Sequence, residues 1–122
     1  MKSRRDFSLE SWYNIPIIVN GKSEKMQLTI KSEAMPFFTE EMGLGTGDAV
    51  RFTSKVYGST QIHEGMSIAV RPETPKEDLL AETTVDGITF FINREDEWFF
   101  EEYNLEVGYN PEEELLTFDF VK

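Results

Sequence analysis

The stretch Leu79-Leu80-Ala81-Glu82-Thr83-Thr84-Val85-Asp86-Gly87-Ile88-Thr89-Phe90-Phe91-Ile92-Asn93 decides the fold class. Two runs rich in β-branched and aromatic residues flank Asp86-Gly87. Both central positions of a tight hairpin turn need positive φ, and an Asp-Gly pair supplies them. The spacing predicts a two-residue β-hairpin and hence a sheet-based domain. Alternation puts Phe90 and Phe91 on opposite faces of their strand, so both faces of that sheet need cover.

Outward from the hairpin the same period of two recurs. Met26, Leu28 and Ile30 alternate with Gln27, Thr29 and Lys31, predicting a half-buried strand. Asp48 to Tyr57 predicts another, with Val50, Phe52 and Val56 facing one way and Arg51, Thr53 and Lys55 the other. Beyond the polar loop Gly58 to Gly65, Met66, Ile68 and Val70 predict a third. Leu105, Val107 and Tyr109, then Leu116, Phe118 and Phe120, predict two more, joined by a turn at Asn110-Pro111. Ser32 stands where it would cap a helix carrying Ala34, Phe38 and Met42, which Gly43 to Gly47 ends. Asn93 stands where it would cap a second, with Glu95, Asp96 and Glu97 in its first turn and Trp98 with Phe99 or Phe100 anchoring it. The expected architecture is α+β, mostly β, with two packed sheets, about seven strands and two short helices.

A chain of 122 residues has room for one core. Residues 26–122 carry the regular pattern and form the expected domain. Residues 1–25 read as an N-terminal extension, partly unordered or contributing an edge strand over Trp12 to Val19, where Pro16 is tolerated. The cysteine count is zero, which excludes disulfides, thiolate-held clusters and cysteine nucleophiles within the chain. Twenty-three acidic against twelve basic groups give a net charge of −11, which disfavours nucleic acid and anionic membrane surfaces. The charge is lopsided, since residues 77–122 hold 14 acidic groups and only Arg94 and Lys122 as basic ones. Such a half is a solvated face or a docking surface for a basic partner. No apolar run is long enough to span a membrane, and Asn14 and Pro16 interrupt the N-terminal one, so the expected location is cytoplasmic.

Chemistry-bearing residues are few. His63, the single histidine, stands beside Glu64, a pairing able to work in acid–base chemistry or to hold a metal, although adjacent residues seldom converge on one point. Ser54, Ser59 and Ser67 lack a Gly-x-Ser-x-Gly turn. The Gly43 to Gly47 run follows a helix and lacks the Lys-Ser/Thr end of a phosphate loop. No catalytic residue and no enzyme activity is expected. The crowded aromatics instead offer Phe91, Trp98, Phe100 and Tyr103 as candidates for an interaction surface.

Gly47-Asp48-Ala49-Val50-Arg51-Phe52, Gly65-Met66-Ser67-Ile68-Ala69-Val70, the Asp86-Gly87 hairpin and Leu116-Thr117-Phe118-Asp119-Phe120 follow one another in an order that resembles the HesB-like, or IscA-like, iron–sulfur cluster biosynthesis family over residues 26–121. The cysteine-poor members from low-GC Gram-positive bacteria are the most similar. The resemblance implies iron or a cluster held by one cysteine at or beside Ser59 and by a Cys-x-Cys that would fall beyond Lys122. None of the three is present. What it then implies is a scaffold or accessory role among iron–sulfur assembly proteins, or weak iron binding through His63 and Glu64. The alternative reading is a non-enzymatic protein-interaction module, forming a homodimer and holding no metal.

Overall fold

The computed structural model of the protein describes residues 26–122. The strand expected over Trp12 to Val19 lies outside them. The described residues form an α+β fold with seven strands: β1 (Leu28–Ile30), β2 (Ala49–Lys55), β3 (Ser67–Pro72), β4 (Leu79–Val85), β5 (Ile88–Asn93), β6 (Asn104–Asn110) and β7 (Leu115–Val121). They form a four-stranded sheet in the order β3-β2-β5-β4 and a three-stranded sheet in the order β1-β6-β7. A helical segment made of Ser32–Ala34 and Phe37–Glu41 follows β1, and Arg94–Asp96 leads into the α-helix α1 (Glu97–Phe100).

The hairpin forms as its residues dictate. Asp86 and Gly87 adopt φ of 53° and 81°, and β4 and β5 pair antiparallel from Val85↔Ile88 outward. Gly87 is doubly required, by its positive φ and because a Cβ there would stand 2.8 Å from the Thr46 side chain; its carbonyl accepts from the Gly47 N–H at 2.9 Å. That bond ties the hairpin turn to the loop entering β2, which then runs parallel to β5 with Val50 beside Phe90. A register shift between Leu79 and Ala81 lets Leu79, Leu80 and Ala81 all be buried, which strict alternation would forbid.

The two sheets close over one core. Val50, Phe52, Ile88 and Phe90 come from the first, and Leu105, Val107 and Phe120 from the second. Phe38, on the helical segment, sits edge-on to Phe90 at 4.8 Å, while Phe52 stacks on Phe90 at 6.2 Å. Phe99 and Phe100 of α1 are both fully buried. Each such ring removes roughly 150–250 Å² from water, so these short helices are held by their aromatics more than by their few turns.

Three local expectations fail. Ser32 does not cap: Lys31 holds the capping position, and its carbonyl takes the Ala34 N–H at 2.9 Å. Asn93 does hold the capping position before Arg94, yet its side chain makes no capping bond and lies buried. β2 ends at Lys55, leaving Val56 83% and Tyr57 69% exposed instead of continuing the strand.

Candidate functional site

Val56 and Tyr57 open the loop from β2 to β3. Gly58 turns it at φ 83°, with Ser67 Oγ donating to the Tyr57 carbonyl at 2.7 Å. Ser59 bridges Glu64, the Thr60 N–H donates to the His63 carbonyl at 2.8 Å, and Thr60 Oγ1 accepts from the His63 N–H at 3.1 Å. The hydroxyl thus does the work of a local turn bond. Two side chains fix the loop to the body. Gln61 Oε1 accepts from the Phe120 N–H of β7 at 2.7 Å. The His63 ring stacks on Phe99 at 4.8 Å and 18°, with Nε2 2.9 Å from the Phe99 carbonyl. A carbonyl only accepts, so this nitrogen carries the proton.

Glu101, 3.5 Å from His63 Nε2, is the carboxylate beside the imidazole. Glu64, its chain neighbour, points to no shared site with it: it is exposed and occupies the bridge to Ser59. Among the described residues no group of three or more His, Asp or Glu side chains could hold a metal ion. Ser59 is exposed on the loop with no companion donors from the C-terminal strand. The imidazole is a structural anchor whose Nε2 is already engaged.

The aromatic candidates separate by burial. Phe91 and Phe100 have no exposed surface, and Tyr103 is half-buried, edge-on to Phe120 at 6.2 Å with Lys122 Nζ 4.6 Å from its centroid. Trp98 is 57% exposed, which corrects its expected role as an anchor of α1; Phe99 and Phe100 take that role. It stands edge-on to His63 at 6.4 Å and to Phe99 at 5.8 Å. The exposed ring is therefore held against a rigid platform, which lowers the entropy lost when a partner covers it. Tyr57, approached by Lys55 Nζ at 5.1 Å, and Val56 add exposed apolar surface at the start of the same loop.

A polar cluster that sequence reasoning missed holds α1 in place. Arg51 reaches Glu73 at 3.2 Å, Glu95 at 3.0 Å and Asp96 at 3.0 Å, and Thr53 Oγ1 donates to Asp96 Oδ1 at 3.0 Å. Burial works against the Arg51 charge, but the hydrogen bond and charge of Asp96, followed by those of Glu73, outweigh it and raise its pKa above the usual value. The sequence signal was the strand alternation that puts Arg51 and Thr53 on one face; nothing in it named Asp96 as their partner.

Among the described residues no helix is long and apolar enough to cross a membrane. No protein-family model matches the chain, and no solved structure matches it. Curated relatives do. The chain is 35% identical over 96 residues to a Bacillus subtilis protein named pyruvate dehydrogenase inhibitor, an alignment that spans 78% of this chain and 99% of that protein. It is also 33% identical over 88 residues to an uncharacterized protein of Staphylococcus saprophyticus, spanning 70% of this chain and 89% of that one. These findings overturn the HesB-like, IscA-like expectation and the iron–sulfur biosynthesis role drawn from it. The features that carried it were strand order and a hairpin, which many chemistries share, and the thiolates that would have carried the chemistry are missing. The chain belongs to the family of the Bacillus subtilis pyruvate dehydrogenase inhibitor.

Proposed function

We propose that the protein is a non-catalytic regulator that binds a pyruvate dehydrogenase and lowers its activity. The observation that carries this reading is the relationship to the inhibitor, which extends over 99% of that protein's length. It favours the interaction module over any metal-carrying role, and the partner is the dehydrogenase in place of iron–sulfur assembly proteins. The site geometry agrees with binding. Trp98 and the Val56-Tyr57 pair present apolar surface from ordered supports, and His63 serves to hold the loop. The 14 acidic groups of residues 77–122 would steer the approach of a basic patch and make the association rate fall with salt. Lacking cysteine and any long apolar run, the chain suits work beside that enzyme in the cytoplasm.

The test is a titration of purified pyruvate dehydrogenase complex with the full chain, following NADH formation, alongside interferometry for direct binding. A saturable loss of rate with a matching binding curve is expected. Full activity at saturating protein, with no complex formed, would overturn the reading.

A further inference from the structure

The two sheets leave an opening between their outermost strands. β3 ends one sheet and β7 the other, and between them lies an open groove of about 520 Å³. Ile68 and Val70 form one wall, Leu116 and Phe118 the other, and Phe37 lines it as well. Leu115 stands at its rim, 57% exposed.

Two further features say what would fit. The first is the backbone of β7. The Phe120 N–H leaves β7 for Gln61, so it points away from β6. Alternation along an antiparallel strand then turns the amides and carbonyls of Phe118 and Leu116 the same way, toward the groove side. Among the described residues no strand pairs with that edge. An unpaired edge above an apolar groove is a template for an added strand. The second is charge. Phe37 also lines a smaller pocket of about 140 Å³, whose other walls include Glu33, Glu40, Glu41 and Tyr109. The Phe37 and Tyr109 rings lie 6.5 Å apart. Carboxylates around aromatic rings match a guanidinium or ammonium, through ion pairing and cation–π attraction together.

We propose that this groove docks an extended segment of the partner protein, added as a strand to the outer edge of β7, with alternate apolar side chains in the groove and an Arg or Lys in the Glu33-Glu40-Glu41 pocket. The identity of the partner rests on the proposed function; the groove's preference for basic, apolar-alternating segments does not. It is a second docking site, on other elements than those carrying Trp98.

The probe is a fluorescein-labelled hexapeptide, Arg-Thr-Val-Thr-Ile-Thr, whose charge shares a face with its apolar residues, compared with Glu-Thr-Val-Thr-Ile-Thr, in anisotropy titrations of the full chain. Saturable binding at least tenfold tighter for the basic peptide is expected. Leu115→Asp should abolish it, and the Glu40→Gln/Glu41→Gln double variant should weaken it at least tenfold, while Glu77→Gln, a charge change elsewhere, leaves it unaltered. Equal affinity for both peptides, no binding of either, or binding that survives Leu115→Asp would overturn the proposal. So would a dimer in light scattering that Leu115→Asp dissolves, which assigns the groove to a second copy. Peptide binding that tightens in Ile17→Asp/Ile18→Asp would assign it to the chain's own N-terminal segment and overturn it equally. Running the same variants on pyruvate dehydrogenase separates the two readings: peptide binding without enzyme binding defeats the proposed partner, and enzyme binding indifferent to Leu115→Asp defeats the groove.

Discussion

Arg51 Nη2 lies 3.0 Å from Asp96 Oδ2, and with 13% and 8% of their side-chain surfaces exposed the two form a nearly buried ion pair. The pair joins the middle of β2 to the turn that starts α1, so it fixes the platform on which Trp98 stands. Its geometry is over-determined, since Thr53 holds the other Asp96 oxygen and Glu73 the other Arg51 nitrogen.

Removing one member should therefore cost more than the pair is worth. Asp96→Ala takes one of three carboxylates from Arg51, which keeps Glu73 and Glu95, and leaves the Thr53 hydroxyl unpaired, so a loss of about 1–2 kcal/mol is expected in urea denaturation. Asp96→Asn, which keeps the shape and the Thr53 partner, should lose clearly less. Equal losses for the two variants would mean that the charge, which both remove, carries the whole effect and the retained shape and Thr53 bond none of it.

Acid should weaken a neighbouring contact. Glu95 is exposed, and its pKa lies below the usual carboxylate value, first through the hydrogen bond from Lys76 at 3.3 Å and then through its charge and that of Arg51. A carboxylate whose folded pKa is depressed adds stability above its unfolded pKa and loses it as pH falls through the folded one. The stability difference between the protein and Glu95→Gln should therefore be full at pH 6, shrink below about pH 4.3, and shrink also in high salt, because the pair is exposed. Paired denaturation series at several pH values check this. A difference that grows on acidification would reverse the sign.

Asn93 offers a stabilising change. Both atoms of its amide are buried with no hydrogen-bond partner, beside Arg94, whose N–H donates to the Asp78 carbonyl at 3.2 Å. A buried polar group without partners costs about 1–3 kcal/mol, while an apolar side chain of similar size incurs no such cost. Asn93→Leu should raise stability by about 1 kcal/mol, read as a higher urea midpoint at unchanged slope. A fall would show that the amide is satisfied in solution.

What could be read in the sequence was what neighbouring residues decide. Asp86-Gly87 dictates its turn through two φ angles, and Leu116, Phe118 and Phe120 declare a strand by period alone. The parallel pairing of β1 with β6 joins Leu28 to Leu105 and leaves no trace at either residue. Neither does the Arg51–Asp96 pair, in which positions 45 residues apart meet where the Arg94–Asp96 turn reaches β2. The same limit moved the first cap by one residue, to Lys31, whose N–H donates to the Val107 carbonyl at 2.9 Å, while Asn93 keeps its capping position with its side chain buried. It misplaced the aromatics too: Phe91 and Phe100 cannot be told from Trp98 by type, only by what packs on them. Ser59 was singled out by a resemblance in strand order, and strand order carries no ligand chemistry.

Trp98 and His63, 6.4 Å apart, should respond differently to truncation. Trp98 is largely exposed and its removal opens no cavity, so Trp98→Ala should change stability by less than about 1 kcal/mol. A rigidly supported exposed indole is nevertheless the kind of side chain that dominates an interface, and loss of about 2 kcal/mol, roughly thirtyfold in affinity for pyruvate dehydrogenase, is expected. His63→Ala removes the ring stacked on Phe99 and the bond to its carbonyl. It should cost about 1–2 kcal/mol of stability and speed hydrogen exchange of the Thr60 and His63 amides, whose bonds hold the loop. Its effect on binding should be smaller than that of Trp98→Ala, because the indole itself remains. If His63→Ala abolished binding while the loop amides stayed protected, the imidazole would be a contact residue and its role as an anchor would fail.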